Sequence, residues 1–334
     1  NYRGVLRCSN GGLEENNKSS SPSKNNLFRI YKMKVLNISH DDFANFAHEN
    51  ANALRSVGVN CLDLKRTAHP FSYGSESKVA TSERIINEIK KADLIQLFHS
   101  DHTWLETAWA FGKRVVVYHT GTGYRQNPEN CNKIFNDKVE RCFTDQCEFI
   151  GLGMKNETYI ATAINTEKFK PADWKTINPY FIAHYPSNET VKGTAKIVEM
   201  LQKIEGANFT INTDRVNHKA QIERMHGCDV YVELFAPTQR GKEYGCFGVT
   251  AFEAAALGKI VFTNNLNQKV YSDAYGDCAL VIANTELDFI QKMKWVLSLN
   301  EKEVVNLQEQ SREWIVKKHS YQATGSRLKT LLNI

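Results

Sequence analysis

No C-x-x-C pair occurs among the eight cysteines of this chain, Cys8, Cys61, Cys131, Cys142, Cys147, Cys228, Cys246 and Cys278. That absence removes zinc ribbons and thioredoxin-like redox motifs. The chain has no apolar run of membrane-spanning length and no legible signal peptide. Its basic residues never gather into dense runs, so nucleic acid is not an expected partner. There is no short internal repeat. Most of the cysteines lie within or beside apolar segments, where a reduced thiol behaves as a small hydrophobe. Buried free thiols belong to a reducing compartment, and the expected location is cytoplasmic.

What is present is an ordinary globular balance. The 334 residues are 42% hydrophobic and 24% charged, enough for two domains of usual size. A formal net charge of +5 is mild. It permits attraction to phosphorylated ligands, or peripheral contact with an anionic membrane, and demands neither. Residues 1–32 stand apart, because 9–26 is rich in Ser, Asn, Gly and Lys and nearly devoid of apolar side chains. Such a segment cannot bury enough surface to fold alone. It is expected to be a disordered leader or a non-native extension, with the folded chain beginning near Met33.

From Met33 short β-rich runs alternate with helical stretches, the pattern of a parallel sheet with crossover helices. Strands are expected at 34–39, 59–64, 93–98 and 113–118, and helices at 45–56, 82–91 and 104–111. Ile85, Ile86 and Ile89 share one face of the second helix, and the valines of 113–118 predict a strand buried on both faces. The stretch 151–171 is less periodic, and Pro171 and Pro179 suit an interdomain connection. Alternation then restarts, with strands at 180–185, 208–212, 229–234, 259–263 and 279–282. Helices are expected at 194–203, 218–225, 250–257, 287–297 and 301–318, with a last one after Tyr321. Two successive blocks of similar length imply an α/β fold of two Rossmann-like domains facing across a cleft, at 33–172 and 173–320. Residues 321–334 are expected to form a helix crossing back to the first domain. Ligands of such sheets bind outside the carboxyl ends of the strands, so motifs that follow strands matter most.

The strongest motif is Gly245-Cys-Phe-Gly-Val-Thr-Ala-Phe-Glu-Ala-Ala-Ala-Leu-Gly-Lys-Ile-Val261. A glycine-containing loop opens a helix, whose first backbone amides can hold an anion. Glu253 lies one turn inside, where a carboxylate can accept paired hydrogen bonds from vicinal hydroxyls such as those of a ribose, or simply sit well near a helix N-terminus. Gly258 suits the helix end. A second motif, His184-Tyr-Pro-Ser-Asn-Glu-Thr-Val-Lys-Gly-Thr194, runs from a strand end through a turn to Lys-Gly before a helix. Lys192 offers a point charge and Ser187 a hydroxyl donor for a diphosphate, unless Lys192 is merely a surface lysine at a turn. A third, Val117-Tyr-His-Thr-Gly-Thr-Gly-Tyr-Arg125, sets His119 at a strand tip, as a cleft residue or as a hydrogen-bonded structural histidine. His40 ends the first strand in the same way, and Asp41 and Asp42 follow.

The segment from Phe247 to Val261 resembles the family 4 retaining glycosyltransferases of the GT-B fold, whose hallmark is E-x-F-G-(I/L)-x-x-x-E-A-M-A-x-G-x-P-V. The resemblance implies that Glu253 holds the donor ribose and that Gly248, Val249 and Thr250 place amides near the diphosphate. It implies that Lys192-Gly193 grips that diphosphate, with His184-x-Pro-Ser187-Asn a variant of the usual arginine-bearing form. The His119 stretch is similar to the family's H-x-G-S-D-x-R, which implies His119 in the cleft near the transferred sugar and Arg125 as a phosphate or acceptor contact. Ile164-Asn-Thr-Glu-Lys-Phe-Lys-Pro171 resembles the family's hinge, N-G-V-D-x-x-x-F-x-P. Two departures stand out. Gly245 replaces the glutamate that contacts the transferred sugar, with Glu243 two residues away, and the glycine pair expected after the first strand is missing beside His40.

The implied activity is transfer of a hexose-like sugar from a nucleoside diphosphate sugar to an acceptor hydroxyl with retention, by front-face attack, the first domain taking the acceptor and the second the donor. The acceptor is a glycan, a lipid-linked molecule or a small molecule. Catalytic roles fall to His119, Lys192 and Glu253. No cofactor beyond the co-substrate is expected. His99 and His102, three apart in a loop, do not make a metal site, and none is expected. Rival readings are a nucleotide-sugar 2-epimerase of the same fold and a non-catalytic nucleotide-sugar-binding homologue.

Overall fold

The computed structural model describes residues 33–172, 180–239 and 241–334, so the expectations for residues 1–32 and for Pro179 lie outside the described residues. The first half runs β1 (Lys34–Ser39), α1 (Phe46–Ser56), β2 (Asn60–Lys65), β3 (Lys78–Val79), α2 (Ser82–Lys91) and β4 (Leu94–Leu97). It continues with α3 (Leu105–Ala110), β5 (Arg114–Tyr118), α4 (Gly121–Gln126), α5 (Pro128–Phe135), β6 (Arg141–Thr144) and β7 (Thr158–Tyr159). These strands form one sheet in the order β3-β2-β1-β4-β5-β6-β7, every pair parallel.

Strand β5 is buried on both faces, as its valines predict. Val115 and Val117 pack with Leu36, Ile38, Ile85 and Ile89 on one side, and Val116 and Tyr118 with Val35, Phe46 and Leu54 on the other. Alternating side chains fill two separate layers, as expected of a parallel sheet covered on both faces. Helix α2 has the expected bounds, and the Thr81 hydroxyl caps it by accepting from the Arg84 amide.

The second half runs β8 (Phe181–His184), α6 (Glu189–Lys192), α7 (Thr194–Gln202), β9 (Asn208–Ile211), α8 (His218–His226) and β10 (Val230–Val232). A two-stranded hairpin follows, β11 (Thr238–Gln239) and β12 (Lys242–Glu243), then α9 (Val249–Ala256), β13 (Ile260–Thr263), α10 (Gln268–Tyr275) and β14 (Val281–Ile282). Helices α11 (Glu286–Ser298), α12 (Glu301–His319) and α13 (Tyr321–Leu331) close the chain. The second sheet is parallel, in the order β14-β13-β10-β8-β9.

Helix α13 returns to the first half, where Leu328 and Leu332 join the layer of Phe46 and Leu54. The approach needs Gly325, since a Cβ there would stand 2.1 Å from the Ala53 carbonyl oxygen. The turn into α13 is tied down where the Ile164 amide donates to the His319 carbonyl at 2.8 Å. Among the described residues no helix is long and apolar enough to cross a membrane.

Candidate active site

The start of α9 is the centre of the site. Its N-cap residue is Gly248, and no side chain caps it. Lys192 reaches this point from α6, and its ammonium is paired with the Glu233 carboxylate, which lies just past β10 and is fully buried. The Thr250 and Thr263 hydroxyls donate to the two oxygens of Glu233 at 3.5 and 3.2 Å. A Cβ on Gly248 would meet Glu233 Oε1 at 2.2 Å and Lys192 Nζ at 3.1 Å, so the glycine is what admits both groups. Gly193 has an equally local reason. Its φ is +70°, and a Cβ would lie 1.9 Å from the Phe235 carbonyl oxygen. The Phe235 amide donates to the Lys192 carbonyl at 3.1 Å, which fixes the Lys-Gly turn against the exit of β10.

His184 supports this turn from below. Burial holds its pKa down at about 4, from an ordinary 6.5, so the ring is neutral. Its Nδ1 donates to the Val232 carbonyl at 2.7 Å, and its Nε2 accepts from the Thr194 hydroxyl at 2.9 Å. Ser187 is exposed in the same loop. A cavity of about 490 Å³ also borders Gly193, with Thr190, Lys196, Pro237 and Glu286 among its lining, but it includes none of Gly248, Thr250 or Glu253.

Glu253 is buried on α9 and accepts from His218 Nε2 at 2.7 Å. It lines a small cavity between the halves with Val249, His218 and, from the first half, Asn45, Glu49 and Tyr73. The Tyr73 and His218 rings lie 5.0 Å apart, closing that cavity. Burial raises the pKa of Glu49 against the hydrogen bond that Tyr321 donates to it. The structure therefore brings Lys192, Gly193, Gly248, Val249, Thr250 and Glu253 together around one helix start.

The first-half candidates fall differently. His119 is expected to open to the cleft, whereas the structure buries it fully, with its ring 4.5 Å from Tyr124 and 5.2 Å from Phe135. The glycine-rich turn after it is helix α4, which folds Tyr124 over the imidazole. Burial lowers the His119 pKa to about 3, which leaves the ring neutral, bonded to the Ser100 hydroxyl at 2.8 Å. Arg125 is not free for a phosphate either. It pairs with Glu148 at 2.7 Å, donates to Gln146 Oε1 at 2.9 Å and stacks on Tyr244 of the second half at 4.8 Å. Burial opposes its charge, but Glu148 outweighs that and raises its pKa. Next to it, Cys246 Sγ donates to Gln146 Oε1 at 2.8 Å. Arg125 and Gln146 thus hold the segment 244–246, which leads into α9.

His40 is exposed at the end of β1. Asp42, by contrast, is buried at φ +55° and stoppers α1. Its carboxylate accepts from the Ala47 amide at 2.7 Å, the His48 amide at 3.1 Å and the Ser77 hydroxyl at 2.9 Å. His99 is bonded to Thr120 at 2.6 Å and His102 lies edge-on to Phe135. Among the described residues no group of three or more His, Cys, Asp or Glu could hold a metal ion.

Gly245 has φ +142°, and a Cβ there would meet Asn264 Nδ2 at 2.2 Å. A glutamate does not fit this backbone, and Glu243 is exposed on the hairpin. Sequence reading did not single out Glu233, His218, Asn45, Glu49, Tyr73, Gln146 or Glu148. Only Glu233 and Glu148 carried a signal, each a carboxylate just beyond a strand or beside a turn, in a place that otherwise favours apolar residues.

No family model and no curated protein matches the sequence. Solved structures do match in shape. The crystal structure of Anabaena HepE in complex with UDP and glucose superposes with a TM-score of 0.67 at 11% identity, covering 90% of this chain and 99% of that one. Sucrose-phosphate synthase from Thermosynechococcus elongatus gives 0.59 at 14% identity, covering 90% and 98%. AviGT4, a glycosyltransferase involved in avilamycin A biosynthesis, gives 0.57 at 11% identity, covering 90% and 97%. At such identities the likeness carries the fold alone: this is the GT-B arrangement, two Rossmann-like sheets facing across a cleft.

Proposed function

We propose that the chain is a retaining, family 4-like glycosyltransferase that moves a hexose-like sugar from a nucleoside diphosphate sugar to an acceptor hydroxyl. One observation carries the reading: Lys192 lies against Gly248 at the uncapped start of α9, with Glu253 one turn further in and facing the interdomain cavity. The first-turn amides of α9 and the Lys192 ammonium would offset charge on the departing diphosphate while the anomeric carbon becomes oxocarbenium-like. The Glu253 carboxylate would accept from the ribose hydroxyls once His218 and Tyr73 swing aside, and closing of the two halves over the bound donor would then exclude water around the reacting sugar. No cofactor enters this scheme beyond the donor itself. HepE, which binds UDP and glucose, makes a uridine donor the first to try.

The acceptor would lie over the first half at His40, Asp41 and the exposed ring of Phe43. Because Asp42 already fills the start of α1, an acceptor phosphate has no helix terminus to bind there. His119 and Arg125 take supporting roles in this reading, the first beneath α4 and the second holding the segment 244–246.

The test is thermal melting with UDP, GDP and ADP. A ligand that binds only the folded form at about 100 times its Kd adds roughly 2.7 kcal/mol of stability. Lys192→Ala and Glu253→Ala are expected to lose most of that gain. The donor reading fails if no nucleoside diphosphate raises the wild-type melting temperature, or if both variants keep the full shift. Donor turnover with and without acceptors then separates transfer from 2-epimerisation, which needs no acceptor.

A further inference from the structure

The cation that the resemblance places at the diphosphate, Lys192, and the one it gives as a phosphate or acceptor contact, Arg125, are both already paired. Lys192 is held by Glu233, and Arg125 by Glu148 at 2.7 Å. The first pair lies inside the proposed donor site. Glu233 is fully buried, its carboxylate rests on the N-cap residue of α9, and two threonine hydroxyls donate to it. A helix start attracts negative charge through the partial charge of its first amides. The anion standing at this one comes from the protein itself.

We propose that Glu233 is a resident anion that sets how much negative charge the donor site accepts: a nucleoside diphosphate binds by taking Lys192 over from it. This rests on the donor reading above. Its consequence has a definite sign. A carboxylate that competes for Lys192 and repels the incoming diphosphate weakens binding, because charges a few ångströms apart inside a protein interact strongly. A glutamate that merely props Lys192 in position would strengthen binding. Removing the charge while keeping the shape tells the two apart.

The experiment is calorimetric titration of UDP, with GDP and ADP in parallel, into wild type, Glu233→Gln, Lys192→Gln and the double variant at one fixed ionic strength. Glu233→Gln is expected to bind at least tenfold more tightly than wild type. Lys192→Gln is expected to cost more in the Glu233→Gln background, where the ammonium is released to the ligand, than in wild type. If the Gln variant fails to fold, Glu233→Asp, which retracts the carboxylate from Lys192 by one methylene, should show a smaller gain. Binding by Glu233→Gln where wild type binds nothing would also support the proposal. Unchanged or weaker binding by a folded Glu233→Gln, with wild type binding normally, overturns it and leaves the donor reading standing. Absence of binding by every protein to every nucleotide overturns the donor reading and this inference with it.

Discussion

Helix α1 comes after strand β1 of one parallel sheet and α9 after β10 of the other with the hairpin between, and both begin at one cavity, yet their first turns are treated in opposite ways. At α1 the amides of Ala47 and His48 are taken by Asp42, a neighbour in sequence. At α9 the N-cap is glycine, no side chain caps it, and the nearby carboxylate of Glu233 is engaged by a lysine. One helix start is therefore capped by a neighbour in sequence, while the other has no side-chain cap and the acid beside it is held by a lysine. The lesson is that the strand-helix geometry alone does not make a phosphate site. What stands at the helix start decides it.

The comparison breaks first at Asp42. Asp42→Ala orphans two buried amides and the Ser77 hydroxyl, and puts alanine at φ +55°. Each unsatisfied group costs about 1–3 kcal/mol, so a loss of roughly 4 kcal/mol is expected in urea unfolding. UDP affinity should be unchanged, because the proposed donor site lies at the other helix. A fall in UDP affinity matching that of Lys192→Ala would show that the two helix starts are not independent.

In one respect the halves are alike. Each keeps a neutral histidine under a strand-end loop, His119 in the first and His184 in the second. Burial holds them near 3 and 4, from 6.5 in a free side chain. As pH falls below 6.5 the unfolded chain takes up these protons and the folded protein does not, so each ring costs the fold about 1.4 kcal/mol per pH unit until its own folded value is reached. Asp145 pulls the other way, since burial raises it to about 6 from 3.8 and it favours the fold as pH drops through that window. A difference measurement removes that opposing contribution. His119→Phe keeps a ring between Tyr124 and Phe135 and deletes the titration. Its stability relative to wild type should improve by about 2.3 kcal/mol between pH 6.5 and 4.5. A pH-independent difference would mean that His119 ionises in the folded state and is open to water, as the resemblance implied.

That case marks where sequence reading stopped. The fold was legible because 34–39, 82–91 and 113–118 each carry a single clear periodicity, and the structure places β1, α2 and β5 there. Strands β3 and β7, two residues each, and the hairpin are too short to show any period. Lys192, Gly248 and Glu253 could be read because local spacing puts them at a strand end and a helix start. Glu233 shows in the sequence only as an acid at a strand end, because its meaning comes from meeting Lys192, 41 residues away. His119 was misplaced for a related reason: glycines at 121 and 123 read as an open turn, while the structure winds them into α4.

The smallest effect tests the cleared side of the comparison. If the mouth of α9 is kept open by its backbone, placing at 245 the glutamate of the family 4 hallmark that the segment resembles should not improve it. Gly245 has φ +142°, a region nearly closed to other residues, and its missing Cβ would collide with Asn264. Asn264 cannot yield easily, since its side chain donates to the Tyr244 carbonyl at 3.0 Å and accepts from the Ala236 amide at 2.8 Å. Gly245→Glu should therefore lose roughly 2 kcal/mol of stability and gain no donor turnover. The departure at Gly245 is then a consequence of how the segment 244–246 is held by Arg125 and Gln146, and under the proposed function sugar recognition comes from other groups. A variant as stable as wild type, with faster transfer, would show instead that this loop can adopt the family's geometry and that its present shape is one of two.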